Sequence, residues 1–368
     1  MRYPAIYGKI VKMEPKKIFP IKTQQNAIAL ITAAKMMAAG LIAFLLINYY
    51  KLPLGVWAVV TIAAVTQTGL TQTLSKSLMR IIGTIIGAVI GYTIAVLASG
   101  DVTIMMISLL AVIWFSSYIA LQPTIYSYAG IVTGMTIAII LFFSIAKKNF
   151  AAIAVDRSFE VLLGVLVITF LNLFLFYGVK KFYPKGIAKK TISWKRPEFK
   201  IEPRYAIPAT KVALACLFTF LIWYYFKLPA GYWATITCLL IMEENHGGTL
   251  KKGFFRFISH FFAALLGFLC VLVLLHFSYE WRLIPLLLAF FMCGFLIGTE
   301  NQYASMGNTI GIAISIMLLS DPGSHETMKI IFERFYNVAI GIAVAFIMLN
   351  PIEKIFFKKK VTTNPPIH

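Results

Sequence analysis

The sequence predicts an all-α, polytopic membrane protein with about twelve transmembrane helices in two parallel six-helix repeats, and three observations lead there. Of the 368 residues 60% are hydrophobic and only 13% are charged, whereas a water-soluble domain carries roughly 25% charged residues. The apolar residues fall into runs long enough for a hydrocarbon core, which takes about 20 residues to cross. The second group of six runs repeats the first at an offset of 176 residues.

The elements follow in chain order. Residues 1–25 form a basic arm with no continuous apolar core before Ala27, so no cleavable signal is expected and the first span must direct insertion. Apolar runs bounded by charges and breakers place the first repeat, 26–177, in spans at 26–50, 53–70, 78–98, 102–121, 124–146 and 157–177. The linker 178–204 holds nine basic residues and three prolines, too short and too polar for a domain, and reads as a topogenic, headgroup-binding segment. The second repeat, 205–350, is expected at 205–226, 229–243, 254–277, 281–299, 302–320 and 330–350, followed by a basic tail, 351–368. The runs at 53–70 and 229–243 are the shortest for their task.

An even number of spans puts both termini on one side. That side collects 24 Lys and Arg against 8 on the other, so the positive-inside rule makes the termini and the linker cytoplasmic. The net charge of +20 is thereby a matter of topology, and no nucleic-acid partner is expected. The four cysteines lie in apolar runs without zinc-site or disulfide spacing and read as small packing residues.

The repeat is specific. Lys35 maps onto Lys211, Lys51-Leu52-Pro53 onto Lys227-Leu228-Pro229, Trp57 onto Trp233, Thr61 onto Thr237 and Arg80 onto Arg256. Late in each half the register slips by one, aligning Arg157 and Gly164 with Arg334 and Gly341. Six spans per half give both halves the same direction through the bilayer, hence a pseudo-two-fold axis along the membrane normal, and the boundary between halves is the expected path.

Eight residues beyond the general apolar background invite a chemical reading, along with one histidine. A charge in hydrocarbon costs at least about 2.5–3.5 kcal/mol on insertion scales, so Lys35 and Lys211 are candidates for attracting an anion; the competing account is that they snorkel to headgroups. Arg80 and Arg256 each open a stripe of small residues, Gly83, Thr84, Gly87 and Gly91 in the first case, that suits close helix packing. Their guanidinium groups could take a carboxylate bidentately. Arg157 and Arg334 are read at the outer start of their spans, either as an exit ring or as partners of Asp156, Glu160 and Glu333 in local ion pairs. Glu243, Glu244 and His246, which replace Gln67, Thr68 and Leu70 of the first half, form a candidate proton-coupling site at the inner end of a span. His260 and His276 lie in apolar stretches and read as packing residues. No HExxH, P-loop, dinucleotide or nucleophile-elbow pattern occurs, so no catalytic residue, cofactor or metal site is expected.

These motifs resemble the fusaric acid resistance protein family, also called aromatic acid exporters, which is distantly similar to the aluminium-activated malate channels of plants. The resemblance rests on the intramembrane lysines and on Pro53 to Ala58 and Pro229 to Ala234 as Pro-x-x-x-Trp-Ala. It also rests on Thr73 to Arg80 and Thr249 to Arg256 as Thr-Leu-x-Lys-x-x-x-Arg, Gly83 to Ala88, and Arg157 to Gly164 as Arg-x-x-Glu-x-x-x-Gly. It implies a bacterial inner-membrane exporter of organic anions that works with a periplasmic adaptor of the membrane-fusion type. The chain departs from the pattern at Ser259-His260, at Asn337 in place of Glu160, and at Glu243-Glu244. A passive anion channel and a non-transporting membrane scaffold are the alternative expectations.

Overall fold

The computed structural model describes residues 23–53, 55–146, 149–178, 202–274, 277–320 and 324–357. Most of the expected basic arm, linker and tail, and His276, lie outside the described residues. Twelve α-helices occur among the described residues. In the first half they are α1 (Thr23–Tyr50), α2 (Val56–Val65), α3 (Leu70–Ala98), α4 (Val102–Leu121), α5 (Ser127–Ile145) and α6 (Phe150–Gly178). In the second they are α7 (Ala206–Phe226), α8 (Tyr232–Ile241), α9 (His246–Val273), α10 (Leu283–Gly298), α11 (Ala304–Leu319) and α12 (Ser324–Phe357). Nine of them are long and apolar enough to cross a membrane, while α2, α8 and α11 are shorter.

Local chemistry sets the helix ends. The Asp101 carboxylate accepts from the Thr103 and Ile104 amides at the start of α4, and Asn245 accepts from the Gly248 amide at the start of α9, each satisfying backbone donors that the helix leaves over. Lys51 and Lys227 adopt left-handed conformations, φ 50° and 51°. Each is the turn residue after a helix, and Leu52 and Leu228 then donate back to Ile47 and Trp223 carbonyls. Pro53 and Pro229 follow and prevent continuation.

The outer helices are turned inside out relative to a soluble protein. On α3 the small and polar face, Thr84, Gly87 and Gly91, is buried, and Ile85, Val89 and Leu97 are exposed. On α9 Ser259, Ala263 and Gly267 are buried and Phe261, Leu265 and Leu272 are exposed. Lipid is as apolar as Leu and provides no hydrophobic drive between helices, so small residues that permit backbone contact make the interfaces. A Cβ at Gly83 would fall 2.6 Å from the Ala129 carbonyl oxygen of α5. The protein is a polytopic membrane protein.

Within each half the half-length helix leans on the last helix, α2 on α6 and α8 on α12. Gly164 faces the Ala58 carbonyl and Gly341 the Ala234 carbonyl, too close in both cases for any side chain. Between halves α1 packs on α10 and α4 on α7, with α2 against α11 and α5 against α8. These contacts come in pairs related by the repeat, so the dyad expected from sequence runs between α2 and α8.

Candidate functional site

The two half-length helices form the centre. Nine of the ten residues of α2 and eight of those of α8 are buried. Each helix stops after ten residues, and the chain passes through a four-residue non-helical bend, Thr66 to Gly69 and Met242 to Asn245, before the next helix begins. Short or broken helices in corresponding positions of two repeats are the sequence pointer to a transporter's site. Here they were visible as the two weakest spans.

At the first break the Lys35 ammonium donates to the Gln67 carbonyl at 2.6 Å and to Asn172 Oδ1 at 3.0 Å. Lys35 is 1% exposed, so it does not snorkel. A cation just beyond a helix C-terminus offsets the partial negative charge there. The Thr73 hydroxyl accepts from the Gln67 amide, and Thr249 accepts from Glu243 at the equivalent break. Lys211 is 5% exposed at the matching position of α7. Asn172, an amide inside an apolar span, was not singled out in the sequence, although an intramembrane amide is the same kind of signal as an intramembrane lysine.

One level further along, Arg80 Nε donates to Thr61 Oγ1 at 3.2 Å and Arg256 Nε to Thr237 Oγ1 at 3.3 Å. The repeat thus preserves an arginine-to-half-helix bond in both copies. Arg80 also reaches the Tyr128 hydroxyl at 3.1 Å. His260 Nδ1 contacts the Arg256 carbonyl and Nε2 has no hydrogen-bond partner among the described residues.

Arg157 and Arg334 do not sit at the outer starts of their spans. Helices α6 and α12 begin at Phe150 and Ser324, seven and ten residues before the arginines. Both side chains are 1% exposed. The Arg157 guanidinium stacks on Trp57 with its carbon 3.9 Å from the ring centroid, and Arg334 on Trp233 at 3.7 Å. The two tryptophans, from opposite halves, face each other with centroids 6.1 Å apart. Val60, Ile139, Ile236 and Ile316 pack around this pair. Arg157 Nε and Nη1, and Arg334 Nε, Nη1 and Nη2, are buried without hydrogen-bond partners among the described residues. Asp156 and Glu333 are neighbours in sequence and point about 100° away on the helix, which is why adjacency gives no pairing. Glu160, one turn after Arg157, is buried; its counterpart Asn337 donates to the Pro229 and Glu333 carbonyls. Arg282 is buried and donates to Leu318 O and Thr327 Oγ1.

A cavity of about 330 Å³ lies between α4–α5 of one half and α7–α8 of the other, lined among others by Ser117, Gln122, Glu243, Glu244 and Lys252. None of the six cations picked out in the sequence is among its described lining residues. The Glu243 carboxylate is 2.5 Å from Lys252 Nζ, Glu244 is exposed, and His246 begins α9. No cluster of three or more metal-ligating side chains occurs among the described residues.

Two like-oriented units of six helices, each with a half-length second helix at a shared dyad, define a repeat-built polytopic membrane protein. The family model described as "Fusaric acid resistance protein-like" matches residues 38–171 and again 214–348, one match to each half, and the chain belongs to that family. Inner membrane protein YeeA of Escherichia coli K12 is 30% identical over 138 residues, covering 35% of this chain and 37% of that protein. The p-hydroxybenzoic acid efflux pump subunit AaeB of Escherichia coli O9:H4 is 26% identical over 165 residues, 40% of this chain and 24% of the pump subunit. The matches therefore span well under half of the relatives' length. No solved structure matches the chain.

Proposed function

We propose that the chain is an efflux transporter of the bacterial inner membrane that exports aromatic or other small organic acid anions, with both termini cytoplasmic. The observation that carries this reading is the pair of buried guanidinium groups on facing tryptophans with unpartnered N–H donors. An unsatisfied buried donor costs about 1–3 kcal/mol, more when charged, and a carboxylate can take the donors of an arginine fork bidentately. The stacked tryptophans offer the flat apolar surface that an aromatic acid would use. Lys35, Arg80 and Arg256 hold the half-helices and, with Lys211, add positive potential along the route. The relative named as a p-hydroxybenzoic acid efflux pump subunit supports both the chemical class of cargo and work within an assembly, for which a periplasmic membrane-fusion adaptor is the proposed partner. Proton exchange at Glu243, Glu244 and His246 is the proposed energy source.

The test is flux of labelled p-hydroxybenzoate from proteoliposomes, with and without a proton gradient. The native chain should drive gradient-dependent efflux, and Arg157→Met with Arg334→Met should reduce it to the empty-vesicle rate while the protein stays monodisperse. Undiminished efflux in the double variant would sink the arginine site. Flux insensitive to the gradient would leave a passive channel.

A further inference from the structure

The two boundaries between the halves are built on one plan but differ in closure. Over the fourth and fifth helices of each half the register is 177 residues, which aligns Tyr126, Gly130 and Gly134 with Tyr303, Gly307 and Gly311. At the α1–α10 boundary Gly294 packs directly on α1, where a Cβ would lie 2.7 Å from Ala33 Cα and 2.8 Å from the Thr32 carbonyl oxygen, and Gly298 packs on the Ala29 backbone. Polar bonds then close it: Asn308 Nδ2 donates to the Ala63 and Thr66 carbonyls at 2.6 and 3.2 Å, and Thr68 Oγ1 donates to Glu300 at 2.6 Å.

At the α4–α7 boundary the same positions read differently. Ser117 stands for Gly294, Leu121 for Gly298 and Ile131 for Asn308. The added side chains remove the glycine contacts and Ile131 cannot form the closing bonds, and the cavity of about 330 Å³ opens here. Two of its lining groups are buried without a partner among the described residues: Ser117 Oγ on a residue 1% exposed and Gln122 Nε2 on a residue 5% exposed. The remaining wall is largely apolar, with Leu121, Ile131, Val212, Leu239 and Met242. Glu243 and Glu244 add carboxylates, Glu243 already bound to Lys252.

We infer that this cavity is the access site for a small monocarboxylic acid with an apolar body, and that cargo enters at this boundary and not at its pseudo-symmetric mate. The inference rests on the efflux reading above and adds to it a position and a selectivity. An amide N–H and a hydroxyl without partners call for an oxygen acceptor, and the apolar walls call for a ring or short chain. The volume is at the small end of ligand cavities, about 300–1,000 Å³, which limits the cargo to one ring. Glu243 and Glu244 repel a second carboxylate, so diacids are refused at the mouth.

Cysteine labelling of the full chain in proteoliposomes tests this without relying on transport. Ile131→Cys should react with a small water-soluble maleimide above the background of the native cysteines. Saturating p-hydroxybenzoate should slow that reaction about tenfold or more, and terephthalate should not. Adding Ser117→Ala or Gln122→Leu should weaken protection about tenfold, the effect of one lost hydrogen bond of roughly 1.4 kcal/mol. A cysteine at the equivalent position of the closed boundary, Asn308→Cys, should show no protection. Labelling of Ile131→Cys unaffected by p-hydroxybenzoate, equal protection by terephthalate, or equal protection at Asn308→Cys would overturn the inference even if efflux is normal. Protection of Ile131→Cys in a chain that moves no p-hydroxybenzoate would instead overturn the efflux reading and leave the binding site standing.

Discussion

The Lys35 ammonium lies between a main-chain carbonyl and a side-chain amide, Gln67 O and Asn172 Oδ1, at the point where α2 stops halfway across the molecule. Its removal leaves a buried carbonyl and a buried amide oxygen each short of a donor. Lys35→Met should therefore lower stability by about 1–3 kcal/mol, read from equilibrium unfolding in detergent, and Lys35→Met with Asn172→Leu should cost less than the sum of the two single changes. Strict additivity would show that the pair does not interact. Arg334 differs in kind, because its donors are unmatched. Arg334→Lys keeps the charge but loses the planar fork and the stacking on Trp233. It should cut efflux by about tenfold or more with little change in the unfolding midpoint; a variant that transports normally would count against contact between the fork and the cargo.

The half-length helices α2 and α8 are held from behind by α6 and α12 through Gly164 and Gly341, whose neighbours are the carbonyl oxygens of Ala58 and Ala234. Backbone cannot yield as a flexible side chain does. Gly164→Val and Gly341→Val should each destabilise by about 1–3 kcal/mol, the range for overpacking a well-filled interior, and by similar amounts because the contacts are copies. A thermal shift in only one of the two would contradict the equivalence of the halves. The glycines of α3 belong to the same class of contact, and their spacing announced it in the sequence: Gly83, Gly87 and Gly91 recur every four residues on one helical face. What the spacing did not announce was the partner, since a small stripe fits any helix brought against it. That α5 is the partner follows from the connection lengths and the closure of the whole bundle.

At the scale of the whole molecule the halves cross over, α1 lying on α10 and α7 on α4, so neither half is complete by itself. In the proposed orientation, argued from the positive-inside count, the N-terminal ends of α1, α7 and α9 face the cytoplasm. Reporter fusions in the turn at Ser99 to Asp101 should report the periplasm, and fusions in the connection at Gln122 to Tyr126 the cytoplasm; the reverse pattern would invert the direction of export. The α1–α10 boundary is closed by glycine contacts and by Asn308, and at the α4–α7 boundary Ser117 and Leu121 stand at the glycine positions and line the cavity. Gly298→Leu should therefore disturb α1 against α10 and lower the unfolding midpoint, whereas Leu121→Ala should widen the cavity, read as faster maleimide access to a cysteine at Ile131.

The sequence by itself determined the membrane environment, the twofold repetition and the residues repeated within it, because hydrophobic length, charge asymmetry and a constant offset are properties of order along the chain. Lys35, Arg80 and Arg157 were legible for that reason, as were α2 and α8 as short runs. Only the tertiary structure decided that Lys35 caps a helix break, that Arg157 and Arg334 lie buried on facing tryptophans, and that one boundary between the halves is open while its twin is shut. Those facts depend on which side chains from distant segments share a few ångströms, and a glycine exchanged for a serine takes its meaning from the helix placed opposite it.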